Sequence, residues 1–479
     1  MNSTDLCKHW EVRVSKEALP DKWATTQIGD ILTVIRGASP RPKGDPRYFG
    51  GQIPWISIRD INAEKGKFLT TTVEGVTELG AQKSRLVPRG NLILSNSGSV
   101  CIPKILKVDG CIHDGFVTFP DLNCENLSTI YFYHLFDWMR PLVIDANRQG
   151  VTQVNLNTGI VKAFEIPLPP LAEQKEIASR LDALLGQVER LKARVDALPA
   201  VLKRFRQSVL AAAVSGKLTE DWREENEAGN KNWALTPIAD IAQTIFDGPF
   251  GSKLKTSDYT DSGIRVVRLG NIGHLEFKDG DRSFISREKY ETLRSNTLKE
   301  GDILFSSFVD EEIRICRLPP SNQISINKAD CFCIRIPNSD TLCDFVTLKL
   351  ASHETYSRIK KSVHGVTRPR INLKFLRSFE IEIPPPAEQT EIVRRVNELF
   401  AFADKVEAQV SAAQARINQL SQSILAKAFR GELTADWRAA HPERITGEHS
   451  AEALLARIQA ERATSKPAKK KRVSKAAQK

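Results

Sequence analysis

Residues 172–223 read AEQKEIASRLDALLGQVERLKARVDALPAVLKRFRQSVLAAAVSGKLTEDWR, and residues 387–438 repeat the pattern as AEQTEIVRRVNELFAFADKVEAQVSAAQARINQLSQSILAKAFRGELTADWR. The two stretches align at a constant offset of 215 residues without insertion or deletion, and 22 of their 52 positions are identical. Shared helical composition would give far fewer identities, so the stretch is an internal duplication. The duplication predicts a molecule with pseudo-two-fold symmetry.

Apolar residues recur at steps of four and three through both copies, which is the heptad pattern of a coiled-coil seam. The seam positions are Ile177, Leu181, Leu184, Val188, Leu191 and Leu198 in the first copy, and Ile392, Val396, Leu399, Val406, Val410 and Ile417 in the second. Prolines precede each copy, and Gly216 and Gly431 supply the stop. Each copy predicts a helix of about 42 residues and roughly 60 Å. We expect the two helices to pair and to act as a spacer, with a kink or break at Pro199 in the first helix only.

The segments before the helices are duplicated too, since LPDKW at residue 19 has its counterpart in NWALTPIADI at residue 232. Short apolar or alternating runs bounded by Gly, Pro and Asn predict strands. These runs cover residues 53–58, 91–95 and 115–119 in the first globe, which continues with a helix-like stretch at 129–139, and residues 264–269, 302–307 and 331–336 in the second. Each globe is therefore predicted to be α/β (α+β) with a mainly antiparallel sheet.

The predicted organisation alternates globes with helical spacers. It comprises a first globe at 1–164, a helical spacer at 165–224, a second globe at 225–379, a second helical spacer at 380–440, a C-terminal helix at 441–461 and a disordered basic tail at 462–479. The tail contains eight Lys or Arg and no acid, so only +3 of the formal net charge of +11 belongs to the remainder. Overall charge alone therefore does not indicate a DNA-binding protein.

The hydrophobic fraction of 41% is enough to form globular cores. No apolar run reaches 18 residues and no signal peptide is evident, which predicts a cytoplasmic protein. The eight cysteines are scattered and form no CxxC pair, so we predict buried, reduced thiols. Histidines form no HExxH and none lies beside a cysteine at zinc-ligand spacing. We predict no bound metal and no membrane association.

The proline-rich lead-in, the AEQ motif, the heptad helix and the strings QSVLAAAVSGKLTEDWR and QSILAKAFRGELTADWR resemble the conserved regions of the specificity (S) subunit of type I restriction-modification enzymes, in particular the IA subclass. The resemblance implies two target recognition domains, held apart by two antiparallel helices, that read the two halves of a double-stranded DNA target. It implies two methyltransferase (M) subunits and two restriction (R) subunits as partners. It also implies that S-adenosylmethionine, ATP and magnesium bind to those partners, with no cofactor in this chain.

Candidate DNA-binding residues lie in the loops around the predicted strands. In the first globe they are Arg36, Arg41, Lys43, Arg47, Arg59, Ser95, Asn96, Ser97, Arg148 and Gln149. In the second globe they are Lys253, Lys255, Arg268, Ser306, Ser307, Lys361, Arg368 and Arg370. Cationic side chains can hold phosphate or fork onto guanine, and short hydroxyl or amide groups can bond base edges. The same residue types also occur in solvated basic loops and in turns.

A catalytic role is not indicated. The string Asp247-Gly248-Pro249-Phe250 is similar to the adenine-binding motif of amino-methyltransferases, but its second residue is Gly and no glycine-rich cofactor turn accompanies it. No GxxxxGK[ST] or GxSxG motif is present. We predict a non-catalytic specificity subunit. The alternatives are a coiled-coil scaffold with protein-binding globes, or a self-contained DNA methyltransferase or nuclease.

Overall fold

The computed structural model describes residues 19–123, 125–148, 156–226, 232–310, 313–337, 339–363 and 369–465. The chain divides into two compact units, one formed by Met1–Arg194 with Gln414–Lys479 and the other by Val195–Ala413. Each unit contains one globe and a part of both long helices. The predictions for Gln149, Arg368 and residues 466–479 fall outside the described residues.

The described chain up to residue 226 begins with the first globe and ends with the first long helix. Its strands are β1 (Ala24–Gln27), β2 (Ile35–Arg36), β3 (Phe49–Ile56), β4 (Phe68–Leu69), β5 (Glu74–Val76), β6 (Arg85–Val87), β7 (Leu92–Ser95), β8 (Pro103–Leu106), β9 (Gly110–Ile112), β10 (Phe116–Thr118) and β11 (Glu165–Leu168). Its helices are α1 (Ile28–Ile31), α2 (Ile58–Ala63), α3 (Glu78–Gln82), α4 (Thr129–Arg148), α5 (Thr158–Lys162), α6 (Leu171–Ser215) and α7 (Glu220–Glu225).

The described chain from residue 232 onward repeats this plan. Its strands are β12 (Ala234–Pro237), β13 (Thr244–Phe246), β14 (Tyr259–Thr260), β15 (Ile264–Val267), β16 (Ser283–Ile285), β17 (Ile303–Ser306), β18 (Ile315–Arg317), β19 (Ser325–Asn327), β20 (Cys331–Arg335) and β21 (Glu380–Ile383). Its helices are α8 (Ile238–Ile241), α9 (Arg287–Glu291), α10 (Asp340–Ala351), α11 (His353–Lys361), α12 (Leu373–Ser378), α13 (Pro386–Phe429), α14 (Ala435–Ala440) and α15 (Ala451–Ser465).

Sheet topology confirms the duplication of the globes. The strand order β2-β10-β7-β8 of the first globe returns as β13-β20-β17-β18 in the second, and all of these neighbours are antiparallel. A parallel pair also recurs, as β3 with β9 and as β15 with β19. The short ribbon of β1 with β11 corresponds to that of β12 with β21. The sheets are mainly antiparallel, as predicted.

The predicted strands are present, with ends shifted by two residues or fewer except at β3, which begins four residues earlier than predicted. For example, the predicted run at 53–58 ends as a strand at Ile56, because Ser57 and Asp60 form a capping box that starts α2. The helix predicted at 129–139 extends to Arg148. In the first globe Phe116 is fully buried, and the aromatic side chains of α4, such as Tyr131 and Phe136, are buried as well.

The long helices α6 and α13 contain 45 and 44 residues, close to the predicted length. Gly216 and Gly431, which follow them, have φ angles of 81° and 76°, a conformation that favours glycine. Of the predicted kink or break at Pro199, the break is wrong, because α6 continues through this residue, and the kink stays a prediction. Proline removes only one backbone hydrogen bond, and the remaining bonds of a long helix can hold the chain in helical conformation.

The heptad seam is buried near the globes and exposed farther along α6. Ile177, Leu181, Val188, Ile392, Val396, Val410 and Ile417 are buried, and Leu184, Leu399 and Val406 are half-buried. Leu191 and Leu198, which were predicted as subunit-interface or coiled-coil residues, are 46% and 38% exposed. Near the globes the seam residues pack into larger hydrophobic clusters, whereas these two leucines belong to none of those described.

The AEQ and DWR motifs form the same buried clamp in each unit. In the first unit, Trp23 Nε1 donates a hydrogen bond to Glu173 Oε2 (2.8 Å), and Thr434 Oγ1 donates to Glu173 Oε1 (2.7 Å). Arg438, from DWR, forms an ion pair with this carboxylate, which is fully buried. The clamp therefore joins the start of one long helix to the turn that follows the other.

In the second unit the partners are equivalent. Trp233 Nε1 donates to Glu388 Oε2 (2.9 Å), Thr219 Oγ1 donates to Glu388 Oε1 (2.8 Å), and Arg223 pairs with the same carboxylate. In both units the helices run antiparallel, since the beginning of one contacts the end of the other. We call the two groups the Glu173 clamp and the Glu388 clamp.

Among the described residues of the second unit, no helix corresponds to the C-terminal helix α15. Leu454 and Ile458 are buried in the core of the first globe, which confirms the predicted amphipathic helix. The predicted boundary at residue 461 is wrong, because α15 extends to Ser465 and Arg462 Nη1 pairs with Asp121 Oδ2 at 2.6 Å. Residues 462–465, which were predicted to begin the disordered tail, therefore belong to this helix.

Candidate nucleic-acid interface

The two candidate loops leave equivalent ends of the central sheets. The first follows β2 at Gly37, and the second follows β13 at Gly248. A Cβ atom added to Gly37 would lie 2.1 Å from the carbonyl oxygen of His113, and one added to Gly248 would lie 2.1 Å from the carbonyl carbon of Lys328. Each loop thus passes against the backbone that leads into the neighbouring strand, β10 or β20. Only glycine allows so close an approach.

Asp114 organises the first candidate surface. Arg36 Nε donates to the Asp114 backbone oxygen (2.7 Å), and the Nη2 atoms of Arg36 and Arg41 lie 4.0 and 3.8 Å from Asp114 Oδ2. Ser39 Oγ donates to Asp114 Oδ1 (2.5 Å), and this hydrogen bond is the largest cause of the lowered pKa of Asp114. The carboxylate therefore stays charged and holds two exposed arginines together.

The other cations of the first loop region lie at its surface. Arg47 Nη2 pairs with Asp45 Oδ2 at 2.6 Å, and Arg59 Nη2 lies 3.5 Å from Glu74 Oε1. Lys43 is exposed. Exposed ion pairs contribute only about 0–1 kcal/mol, so these arginines can exchange their carboxylate partners for phosphate at little cost. Arg148 is the last residue of α4.

Two of the three polar residues predicted at the end of β7 point into the protein. Ser95 and Asn96 are fully buried. Ser95 Oγ accepts a hydrogen bond from the Ile102 amide (2.8 Å), and Asn96 Nδ2 donates to the Asp114 carbonyl (3.3 Å). Both side chains therefore shape the loop and are not available for direct DNA contact. Ser97 is half-buried.

The corresponding serines at the end of β17 are also buried. Ser306 and Ser307 are 3% and 2% exposed. Ser306 Oγ accepts from the Phe308 amide (3.0 Å), and Ser307 Oγ donates to Asp330 Oδ1 (2.8 Å). As in the first globe, burial corrects the prediction of direct contact, because a fully enclosed hydroxyl cannot reach a base edge.

Asp330 organises the second candidate surface. It has a φ angle of 72°, a left-handed conformation that is costly for residues other than glycine, and its amide donates to Asp247 Oδ1 (2.9 Å). Its own Oδ1 accepts from Ser307 and lies 3.2 Å from Arg370 Nη1. Arg370 Cζ lies 4.2 Å from the centroid of the Phe308 ring. Arg370, half-exposed, is thus held by both a carboxylate and an aromatic ring.

Asp247 belongs to the string that is similar to an adenine-binding motif, but here it supports the loop. Its Oδ1 also accepts from the Gly248 amide (2.7 Å). Burial, with the charge of Asp330 nearby, raises the pKa of Asp247 to about 6.

The remaining cations of the second globe lie in separate segments. Lys253 and Lys255 are exposed beyond β13, and Lys361 is exposed at the last residue of α11. Arg268 is exposed after β15, with Nη1 3.4 Å from Ser283 Oγ. The structure thus gathers Arg370 with Ser307, and Arg36 with Arg41, into compact groups.

Sequence reasoning missed the acids that organise both groups. Asp330 immediately precedes β20 in the string ADCF, and Asp114 lies two residues before the start of β10 in the string HDGF. An acid at the entry to a strand, opposite a basic loop, was the available signal. Phe308 was missed because its role depends on the antiparallel bridge that pairs it with Arg370.

Other site types find little support in the described part of the chain. Among those residues no group of three or more His, Cys, Asp or Glu is placed to hold a metal ion, and no helix is both long and apolar enough to span a bilayer. The six described cysteines are free and buried, as predicted, and burial raises the pKa of Cys101 to about 12. Cys7 and Cys124 lie outside the described residues.

Comparison with known proteins gives a consistent result. The family model described as type I restriction modification DNA specificity domain matches residues 20–199 and again 230–413. The chain is 33% identical to the EcoKI specificity subunit of Escherichia coli strain K12, with 94% of this chain and 98% of that protein covered. It is 39% identical to the EcoBI specificity subunit of Escherichia coli, with 70% and 72% covered.

Solved structures show the same fold at lower sequence identity. A chain from a study of complex assembly and conformational transition of the type I R-M system has a TM-score of 0.65 at 18% identity, covering 87% of this chain and all of that one. The HsdS subunit from Thermoanaerobacter tengcongensis has a TM-score of 0.50 at 19% identity, with 87% and 98% covered.

Proposed function

Because the chain belongs to the type I restriction-modification specificity subunit family, we propose that it reads a bipartite double-stranded DNA target, one half with each globe. The specificity subunit is the DNA-recognition component of such an enzyme and is not itself catalytic.

The different side chains on the two candidate surfaces support a separate half-site for each globe. The two globes share backbone topology at the candidate surface, but they place different side chains on it. Arg36 precedes Gly37 in the first globe, whereas Asp247 precedes Gly248 in the second. Asp114 gathers two arginines, and Asp330 gathers one arginine stacked on an aromatic ring. One scaffold with two sets of polar groups is suited to reading two different sequences.

The paired helices would then fix the distance between the half-sites and carry the partner subunits. We propose two M subunits, one for each copy of the duplicated unit, together with two R subunits. Leu191 and Leu198 support this role, because they are large apolar side chains left exposed on α6. S-adenosylmethionine, ATP and magnesium belong to the partners in this proposal. Such an assembly acts on DNA in the cytoplasm.

A domain exchange tests the division of the target. The methyltransferase complex is assembled with a chimaera in which residues 1–164 come from another specificity subunit, and methylation is mapped at single-base resolution. We expect one half of the recognised sequence to change and the other half and the spacing to stay the same. The reciprocal exchange of residues 225–379 is the matched control and should change the opposite half. Alteration of both halves by a single exchange would contradict the proposal.

Salt dependence separates this function from that of a protein-binding scaffold. For a protein that contacts DNA phosphates, the logarithm of the binding constant falls linearly with log[salt]. The slope is about −0.9 for each phosphate neutralised. The complex should show such a slope on its target and weaker binding to unrelated duplex. A scaffold would show neither property.

A further inference from the structure

We propose that Arg370, held by Asp330 and Phe308, reads a guanine in the half-site of the second globe. This inference rests on the proposed function and adds the base and the residues that recognise it. We call Arg370, Asp330 and Phe308 the arginine triad.

The backbone of Arg370 is fixed on both sides. Arg370 forms an isolated antiparallel bridge with Phe308, the Val309 amide donates to the Pro369 oxygen (3.0 Å), and the Ile371 amide donates to the Ser307 oxygen (2.9 Å). The side chain therefore projects from a rigid base. A recognition residue needs this property, because ordering a long side chain at the moment of binding costs affinity.

The Arg370 guanidinium is oriented by Asp330 but keeps N–H donors available for a ligand. Only Nη1 is bonded, to Asp330 Oδ1, among the described contacts of this side chain. Guanidinium carries five N–H donors, so the edge formed by Nε and Nη2 remains for a ligand. The side chain is 49% exposed, which leaves that edge within reach of DNA. Two parallel donors match the O6 and N7 acceptors of guanine in the major groove.

The neighbouring acid favours a base over a phosphate as the ligand. The Asp330 carboxylate lies 3.2 Å from Arg370 Nη1 and offsets its positive charge. This weakens attraction to an anionic phosphate but leaves the N–H donors directed. By contrast, Asp114 in the first globe faces two arginines, Arg36 and Arg41, so a net positive charge remains there for phosphate.

The loop bears a conformational cost to place Asp330. This residue adopts the left-handed conformation, and Asp247 accepts its amide hydrogen bond at 2.9 Å. By strand register, the equivalent strand entry in the first globe has Gly115, and Ser97 stands at the position of Phe308. The triad is therefore specific to the second globe. Strained non-glycine residues cluster at functional sites, where the surrounding contacts hold them.

The test uses the methyltransferase complex formed with the full chain. Its split target is first mapped by methylome sequencing, and the half-site altered by exchanging residues 225–379 identifies the half read by the second globe. Duplexes with each base pair at each position of that half are then compared in binding, at fixed salt, for the wild type and for Arg370→Lys. Lysine keeps the charge but lacks the fork.

We expect Arg370→Lys to lose the preference for G·C at one position by about 5- to 150-fold, with the other positions and the first half-site unchanged. Lys361→Ala, which removes an exposed cation outside the triad, is the matched control. It should weaken all duplexes to a similar degree. Asp330→Asn should reduce discrimination at the same position, provided that its melting temperature matches the wild type.

Three results would overturn the inference. They are retained discrimination in Arg370→Lys, equal weakening on all duplexes, and a second half-site that contains no G·C pair. In each case the first half-site is still read, so the proposed function stands. A wild-type complex that recognises no split target would instead overturn the proposed function, and this inference with it.

Discussion

Replacing Glu388 by Gln should destabilise the second unit by about 3–5 kcal/mol, the cost of breaking a buried ion pair. Three donors converge on the carboxylate, from Thr219, Trp233 and Arg223, and the Glu388 side chain is only 4% exposed. A hydrogen bond to a charged acceptor contributes about 1.5–3 kcal/mol, against about 0.5–1.5 kcal/mol for a neutral one. Three bonds each weakened by about 1 kcal/mol account for about 3 kcal/mol. The amide group of Gln also sets an N–H donor against one of the three.

Urea unfolding of the full chain, followed by tryptophan fluorescence, measures this loss, and hydrogen exchange locates it. Protection should fall around Thr219 and Trp233 and stay unchanged around Trp23. The reciprocal variant Glu173→Gln should affect the Glu173 clamp in the first unit instead. Asp404→Asn is the control, because Asp404 pairs with Arg206 but is 71% exposed and should cost about 0–1 kcal/mol. A Glu388→Gln chain as stable as this control would refute the reasoning that the AEQ and DWR motifs are stabilising clamps.

Three further changes have defined outcomes. Burial raises the pKa of Asp247 in the folded chain to about 6, above its ordinary 3.8. Its protonated form therefore favours folding, and this contribution to the free energy of unfolding is lost as pH rises from about 4 to about 6. Asp247→Asn should remove the corresponding slope from the pH dependence of the unfolding midpoint. Ile458→Ala, at a side chain that is 4% exposed, should destabilise the first unit by about 2–5 kcal/mol in denaturant titrations, whereas Gln459→Ala on the exposed face should have little effect. Leu198→Asp should reduce capture of M subunits in size-exclusion chromatography without lowering the melting temperature, and normal capture would contradict a docking role for this part of α6.

The duplicated motifs were easy to detect in the sequence, but their function was not. AEQ and DWR identified the family, yet nothing in the sequence indicates that Glu173 meets Arg438 across 265 residues or that Trp23 completes the same clamp. Buried ion pairs of this kind depend on which chain ends the fold brings together. The residues that are identical in the two copies lie mainly in the helical framework, where they form these clamps. The candidate DNA-binding residues differ between the copies.

The sequence by itself determined the repeat, the two long helices with their glycine stops, the positions of the main strands and the equivalence of the two loops. All of these depend on local periodicity or on comparison of the chain with itself. Only the tertiary structure decided which polar residues face solvent. Ser95 ends one strand and Ser307 follows another, as an exposed loop residue could, but both are buried in the folded chain. The grouping of Arg370 with Asp330 and Phe308 likewise arises from segments that meet only in the folded chain, because a side chain's partners are set by packing and not by its neighbours in sequence.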